Sequence, residues 1–361
     1  ESVRERCVFT THTPVAAGHD KFGYDVVEQV LGDTVDMNIL RELAGEDGLN
    51  MTLLALNLSR YVNGVAKKHG EVSQNMFKGY AIHAITNGIH SYTWTAEPFK
   101  QLFDRYIPGW ANEPELFVRV DNIPDGEIWE THQKCKQVLV DYCAEHSKVT
   151  LDPEVLTIGF ARRAATYKRA DLIFTDLERL RKIGGGKLQI VYAGKAHPAD
   201  TIGKELIQSV VHSLRELDGD IPGAYLPGYD MSLSSILIPG VDVWLNNPIR
   251  PQEASGTSGM KAAHNGVPNF SVLDGWWIEG HIEGVTGWSI GPEAREADLT
   301  EHRDDEDLEG LYHKLEQILI PTYYEDRERW ISIMKGAIGK NAYYFNTHRM
   351  MRRYVTEAYL P

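Results

Sequence analysis

The apolar positions change rhythm near residue 150. Beyond it, short apolar runs alternate with longer segments of helical spacing: 156–161, 170–183, 188–193, 201–217, 224–226, 231–238 and 241–244. Brief runs rich in β-branched and aromatic residues, bounded by Gly, Pro and Asp, read as buried strands. Apolar residues three and four apart read as amphipathic helices. Such alternation predicts an α/β fold, a parallel sheet with helices packed on its faces. Three further helical patterns, 308–320, 324–345 and 349–359, predict closing helices.

The first 148 residues are less regular. Cys7 to His12 predicts a short strand followed by the loop Thr13 to His19, and Tyr80 to Thr86 predicts a second strand ending at Asn87-Gly88. Between them, Met51 to Tyr61 and Asn63 to Phe77 have helical spacing; Ile107 to Asp125, rich in Pro, Asn and aromatics, predicts irregular structure. A long amphipathic helix is expected from Gly126 to Glu145, and Ser147 to Pro153 marks a boundary. Two strands make a poor sheet by themselves, because an uncovered edge exposes unpaired backbone groups. The expectation is therefore a piece of a longer protein, whose preceding residues complete that sheet.

Composition narrows the function. With 361 residues, 42% hydrophobic, the chain can bury a large core. No apolar run nears the roughly 20 residues that cross a bilayer, so no membrane partner is expected. The net charge of −14 argues against nucleic acid, and three irregularly spaced cysteines suit neither a disulfide framework nor a metal site. A cytoplasmic location and a neutral polymer partner are expected.

Two segments concentrate the chemistry. In Glu253-Ala-Ser-Gly-Thr-Ser-Gly-Met-Lys261, small flexible residues let backbone N–H groups converge on an anion, and the helical run from Met260 would add its positive end. Lys261 can then hold a carbonyl cofactor. In Leu156 to Arg169, a predicted strand runs into Arg162, Arg163, Lys168 and Arg169. Ligands of open α/β sheets sit beyond the carboxyl ends of strands, so four cations there predict an anion site rather than a solvated patch. His19 and His264 lack metal-ligand spacing, and Asp230 reads as a turn residue. Trp276 and Trp277 could stack on a sugar ring or belong to the core.

The order of Thr11-His-Thr-Pro14, Val62-Asn-Gly-Val-Ala66, Thr86-Asn-Gly-Ile89, Arg162-Arg163 with Tyr167-Lys-Arg169, Ala193-Gly-Lys195, Gly228-Tyr-Asp-Met-Ser232, Glu253 to Lys261 and Leu273-Asp-Gly-Trp276 resembles the α-glucan (glycogen, starch and maltodextrin) phosphorylases, bacterial type. The resemblance implies a GT-B architecture of two Rossmann-like domains, the N-terminal one incomplete here. Residues 1–148 would be its remaining part, 149–325 the domain that binds pyridoxal 5′-phosphate, and 326–361 closing helices packed back toward the first. It also implies phosphorolysis of terminal α-1,4 bonds of a glucan by inorganic phosphate, releasing α-D-glucose 1-phosphate with retention, in an enzyme that is often a homodimer.

By that resemblance Lys261 matches the Schiff-base lysine. Arg162, Lys168, Thr257 and Ser258 fall around the cofactor phosphate, and Tyr229 beside the cofactor. Arg163 and Lys168 fall where inorganic phosphate is gripped; together with Lys261 they are the expected catalytic residues. Glu253, with Ala254, Ser255 and Gly256, falls on the glucosyl hydroxyls, and His12 and Asn87 near O6. The family's glycine-rich phosphate loop and its Asp/His pair, which precede the Thr-His-Thr segment in family members, are not expected at the start of this chain. A sugar-nucleotide transferase of GT-B shape and a cofactor-free glucan-binding fragment remain as alternatives.

Overall fold

The computed structural model describes residues 1–291 and 303–360. A small parallel sheet is built from β1 (Val8–Thr10), β4 (Tyr61–Gly64) and β5 (His83–Ala84) in the order β1-β4-β5; β2 (Lys21–Phe22) and β3 (Leu49–Asn50) form a separate antiparallel pair. β4 corrects the sequence reading, which ran a helix from Asn63 to Phe77. The helix starts only at Lys67, and Val62, Asn63 and Gly64 form the central strand. Periodicity misses it because the strand is four residues long and its last three are buried, so it shows no alternation of faces. Its asparagine is held by tertiary partners: Asn63 Oδ1 accepts from Thr10 Oγ1 at 3.0 Å, and its Nδ2 donates to Tyr354 Oη at 3.0 Å.

The large sheet has six parallel strands: β6 (Leu156–Arg163), β7 (Leu188–Lys195), β8 (Gly223–Leu226), β9 (Val243–Asn246), β10 (Asn269–Val272) and β11 (Gly287–Ile290), in the order β11-β10-β9-β6-β7-β8. β6 and β7 pair from Leu156 opposite Leu188 to Arg163 opposite Lys195. The chain moves outward through β7 and β8, then returns to the other side of β6 with β9. That reversal is the topological switch point of a doubly wound sheet, the place where such folds bind ligands. β10 and β11 lie beyond the segments in which strands were expected. The predicted helix 170–183 is broken into a 3₁₀ turn at Leu172–Phe174 and a helix at Leu177–Gly184, whose start is fixed by Asp176 accepting from the Arg179 N–H. The stretch expected to be irregular contains a 3₁₀ run at Pro114–Asn122.

The helix Asp125–Ser147 packs against the helix Met231–Gly240 so closely that a Cβ on Gly240 would lie 2.5 Å from Leu139 Cβ. Beneath it, Asp242 accepts from Lys136 Nζ at 2.6 Å and pairs with His132 Nε2 at 2.8 Å; all three side chains are buried. Lys136 Nζ also reaches Tyr323 Oη at 3.1 Å. The closing segment falls into shorter pieces than the sequence suggested, with α-helix at Arg327–Gly336 and Thr347–Arg353, each continued by a π turn. Its end lies on the small sheet, where Tyr354 and Ala358 pack against Ile85.

Candidate active site

The carboxyl ends of the two sheets face one cleft of about 350 Å³. The small sheet contributes His12 after β1, Val65 after β4 and Asn87 after β5. The large sheet contributes Arg162, Arg163 and Lys168 from the end of β6, and Glu253, Ala254, Ser255, Gly256, Thr257, Ser258 and Lys261 from the crossover after β9. Tyr229 completes the wall. The residues matched to a cofactor, phosphate or sugar role thus line this cleft, although residues as far apart as His12 and Lys261 had to converge. Arg169 is the exception among the four cations expected at the anion site: its guanidinium turns away to the carbonyls of Asn247 and Pro248 and to Asp304 and Asp307.

Glu253 is the electrostatic centre. Its Oε2 lies 2.7 Å from Arg162 Nη2 and 2.6 Å from Lys168 Nζ. Burial works against the charged carboxylate, but the two cations outweigh it and hold the Glu253 pKa below its usual value. Burial, with the charge of Arg162 adding to it, lowers Lys168 to about 7 against the pull of Glu253. Lys261 is lowered to about 8 by burial, and its ammonium lies 3.3 Å from the centre of the Trp94 ring. An amine brought toward neutrality in a cleft is a nucleophile for a carbonyl group.

The supporting shell fixes these groups. Trp244 Nε1 donates to Ser258 Oγ at 3.0 Å, and Tyr229 Oη donates to Ser234 Oγ at 3.1 Å. Asp230 caps the helix after Tyr229 by accepting from the Leu233 N–H at 2.9 Å, the turn role read from the sequence. Arg349, near the other end of the chain, donates to the carbonyls of Thr86 at 2.6 Å and Asn87 at 2.8 Å, which sets the Asn87 corner. The helix carrying Lys261, Ser258–His264, is only seven residues long, so its dipole adds little. His264 is buried and bonded to Ser91 and Met260, and His19 reaches Thr52; neither lines the cleft. Trp276 and Trp277 are core residues: with Ile89, Met260, Leu273 and Phe345 they form a buried cluster.

Sequence reasoning missed Thr13, Pro14, Tyr167 and Gln252 on the cleft wall, Trp94 beneath Lys261, and Asp274 behind Glu253. Tyr167 and Asp274 stood inside the motifs Tyr167-Lys-Arg169 and Leu273-Asp-Gly-Trp276, whereas nothing local marked Trp94. Among the described residues no group of His, Cys, Asp and Glu side chains could hold a metal ion, and no helix is long and apolar enough to cross a membrane.

A model of the family described as carbohydrate phosphorylase matches residues 15–319. The chain belongs to that family. A maltodextrin phosphorylase of Thermococcus litoralis is 44% identical over 99% of this chain and 47% of its own length. Glycogen phosphorylases of Aquifex aeolicus and Mycobacterium tuberculosis are 38% and 36% identical, each over 99% of this chain, and are covered over 58% and 47% of their lengths. The chain spans about half the length of the curated relatives it matches. The carbohydrate phosphorylase family accordingly gives the α/β architecture its name, GT-B, and the six-stranded parallel sheet is its more fully represented half here.

Proposed function

We propose that this chain carries the cofactor and phosphate site of an α-glucan phosphorylase. The reaction is phosphorolysis of the terminal α-1,4 bond of glycogen or maltodextrin by inorganic phosphate, giving α-D-glucose 1-phosphate and a glucan one unit shorter. The observation that carries the reading is the arrangement of Lys261, with its amine lowered to about 8, in the same cleft as Arg162, Arg163 and Lys168. Maltodextrin and glycogen are the substrates named for the relatives.

The residues fit pyridoxal 5′-phosphate. Lys261 would hold its carbonyl carbon, the flat Trp94 ring lies against that amine, and Arg162 has a buried Nη1 without a partner among the described residues, a donor available to a phosphate oxygen. Thr257, Ser258 and Tyr229 line the same wall. Bound there, the group supplies a phosphate that works as an acid, since breaking a glycosidic bond needs no electron sink.

Arg163 and Lys168 hold inorganic phosphate and offset its repulsion from a second phosphate nearby. One proton moves from that inorganic phosphate to the departing glycosidic oxygen, and a phosphate oxygen bonds to the anomeric carbon on the same face. Retention then needs no protein carboxylate pair, unlike glycoside hydrolysis. Glu253 and the backbone of Ala254, Ser255 and Gly256 hold the glucosyl hydroxyls, with His12 and Asn87 at the opposite wall near O6. Residues 1–148 and the described part of 149–325 serve as the two faces of this cleft, and the described part of 326–361 as the strap between them, in a cytoplasmic enzyme; 292–302 and 361 lie outside the described residues.

The test is the absorption spectrum of the purified chain with pyridoxal 5′-phosphate, recorded beside Lys261→Ala. A band shifted from that of free cofactor and lost in the variant is expected. An identical band in both proteins would remove Lys261 from the cofactor site and the proposal with it.

A further inference from the structure

Arg162 and Lys168 share one oxygen of one carboxylate. The exposures of the Arg162, Lys168 and Glu253 side chains are 9%, 8% and 10%, so the three groups meet almost out of water. Among the described residues, one carboxylate oxygen is the shared acceptor of two buried basic side chains. Arg162 Nη1, also buried, has no hydrogen-bond partner among the described residues. Buried basic donors that one oxygen cannot satisfy are costly, and the cost is relieved by any ligand that brings more negative charge and more acceptor oxygens than a carboxylate does.

The Glu253 main chain is secured apart from its side chain. Its N–H donates to Asp274 Oδ2 at 2.8 Å, and Asp274 Oδ1 accepts from the Gly275 N–H at 2.8 Å, with Asp274 itself 3% exposed. The backbone of the turn can therefore stay in place while the Glu253 carboxylate changes partner.

The geometry points to Glu253 as the residue that determines which anion the cleft accepts: its carboxylate competes for Arg162 and Lys168, and only a phosphate dianion displaces it. A monoanion offers the cations no more than Glu253 already does. A dianion adds a charge and further oxygens, one of them within the reach of Arg162 Nη1. Once displaced, the carboxylate is free to accept sugar hydroxyls, so dianion and glucosyl unit favour each other's binding. This inference rests on the reading of the cleft as a phosphorolytic site and adds the basis of its anion selectivity. The dianion is either inorganic phosphate or the phosphate of the cofactor, which the same donors recognise.

The experiment is calorimetric titration of the whole chain at pH 7 with inorganic phosphate and, separately, with acetate as a monoanion. It is run with and without pyridoxal 5′-phosphate, on the wild type, Glu253→Gln and Glu253→Asp. The wild type is expected to bind phosphate and not acetate. Glu253→Gln should bind phosphate about tenfold more tightly, a change of ~1.4 kcal/mol, and should acquire acetate binding. Glu253→Asp, one methylene shorter and drawn back from the point where both basic groups meet Oε2, should change in the same direction by less, and it decides the matter if the glutamine variant does not fold. Tightening with cofactor present assigns the exchange to inorganic phosphate; tightening only in its absence assigns it to the cofactor phosphate. Phosphate bound no more tightly by the variants, with acetate still excluded, overturns the role of Glu253 and leaves the phosphorolytic reading standing. No phosphate binding by any form, together with a cofactor band that survives Lys261→Ala, overturns both.

Discussion

The turn that carries Glu253 is packed against Gly275, and Gly275→Ala tests whether that contact sets the site. Gly275 has φ +55°, and a Cβ there would lie 2.3 Å from the Ser255 carbonyl oxygen. Reaching ordinary van der Waals separation would push that carbonyl back by roughly 1 Å. It cannot yield freely, because it accepts the Trp276 N–H at 2.9 Å. The left-handed backbone costs an alanine about 1–2 kcal/mol, and overpacking adds about 1–3 kcal/mol. Gly186→Ala is the control: its φ is +70°, but among the described residues no atom beyond its chain neighbours lies within 4 Å of the added Cβ, so only the backbone contribution applies. Urea unfolding should therefore give Gly275→Ala a midpoint well below that of Gly186→Ala. Phosphate titration should show a loss of roughly tenfold or more for Gly275→Ala alone, as expected when a site is displaced by about 1 Å. Equal midpoints and an unchanged phosphate affinity would mean that the close approach of Gly275 to Ser255 does not fix the turn.

His264 gives the chain an acid-sensitive element. Burial lowers its pKa from 6.5 to about 4, so between those values the unfolded chain takes up a proton that the folded chain refuses, and stability falls as the pH drops through this window. The contribution is about 3 kcal/mol at most; His264→Gln should flatten urea-derived stability between pH 6.5 and 4, and an unaltered slope would show that the imidazole is not held neutral. Lys136→Met should cost about 3–5 kcal/mol in urea unfolding, because it leaves Asp242 buried without its cation. Replacing the anion as well, in Lys136→Met with Asp242→Asn, should recover most of the loss; if the double variant is no better than the single one, the pair is not what the single substitution disrupts.

The sheet of six strands was legible where its strands are long and mostly apolar, as at Leu156 to Ala161 and Leu188 to Ala193, each broken by one polar residue, Thr157 and Gln189. Legibility failed at β4, where Val62, Asn63 and Gly64 owe their conformation to Thr10 and to Tyr354, which lies 291 positions away. The cations after β6 and the Lys261 turn were visible because the chemistry of each is concentrated in one short segment placed where a strand ends. Asp274 and Trp94 were not, since their parts depend on distant partners: an N–H on Glu253 and the amine of Lys261. The two adjacent tryptophans show the converse. Their composition suited a sugar platform, but burial against Met260 and Phe345 assigns them to packing.

The charge of the cleft follows from the sheet order rather than from composition. A chain with net charge −14 would be expected to repel phosphate. At the switch point, however, β6 delivers Arg162 and Arg163 to the same place as the loop after β9 delivers Glu253. Asp274 could neutralise the excess, yet burial raises its pKa to about 7, above the usual aspartate value, despite the two N–H groups that favour its charged form. Burial thus opposes the charge of Asp274 as it opposes that of Lys168, and Arg162 and Arg163 remain as the positive groups of the cleft. The walls are joined by Arg349, whose guanidinium fixes the carbonyls of Thr86 and Asn87 on the small-sheet side. Phosphate affinity should accordingly depend on the β6 and β9 loops, while the geometry of the opposite, sugar-facing wall should depend on a residue almost 90 positions beyond Lys261 in the chain.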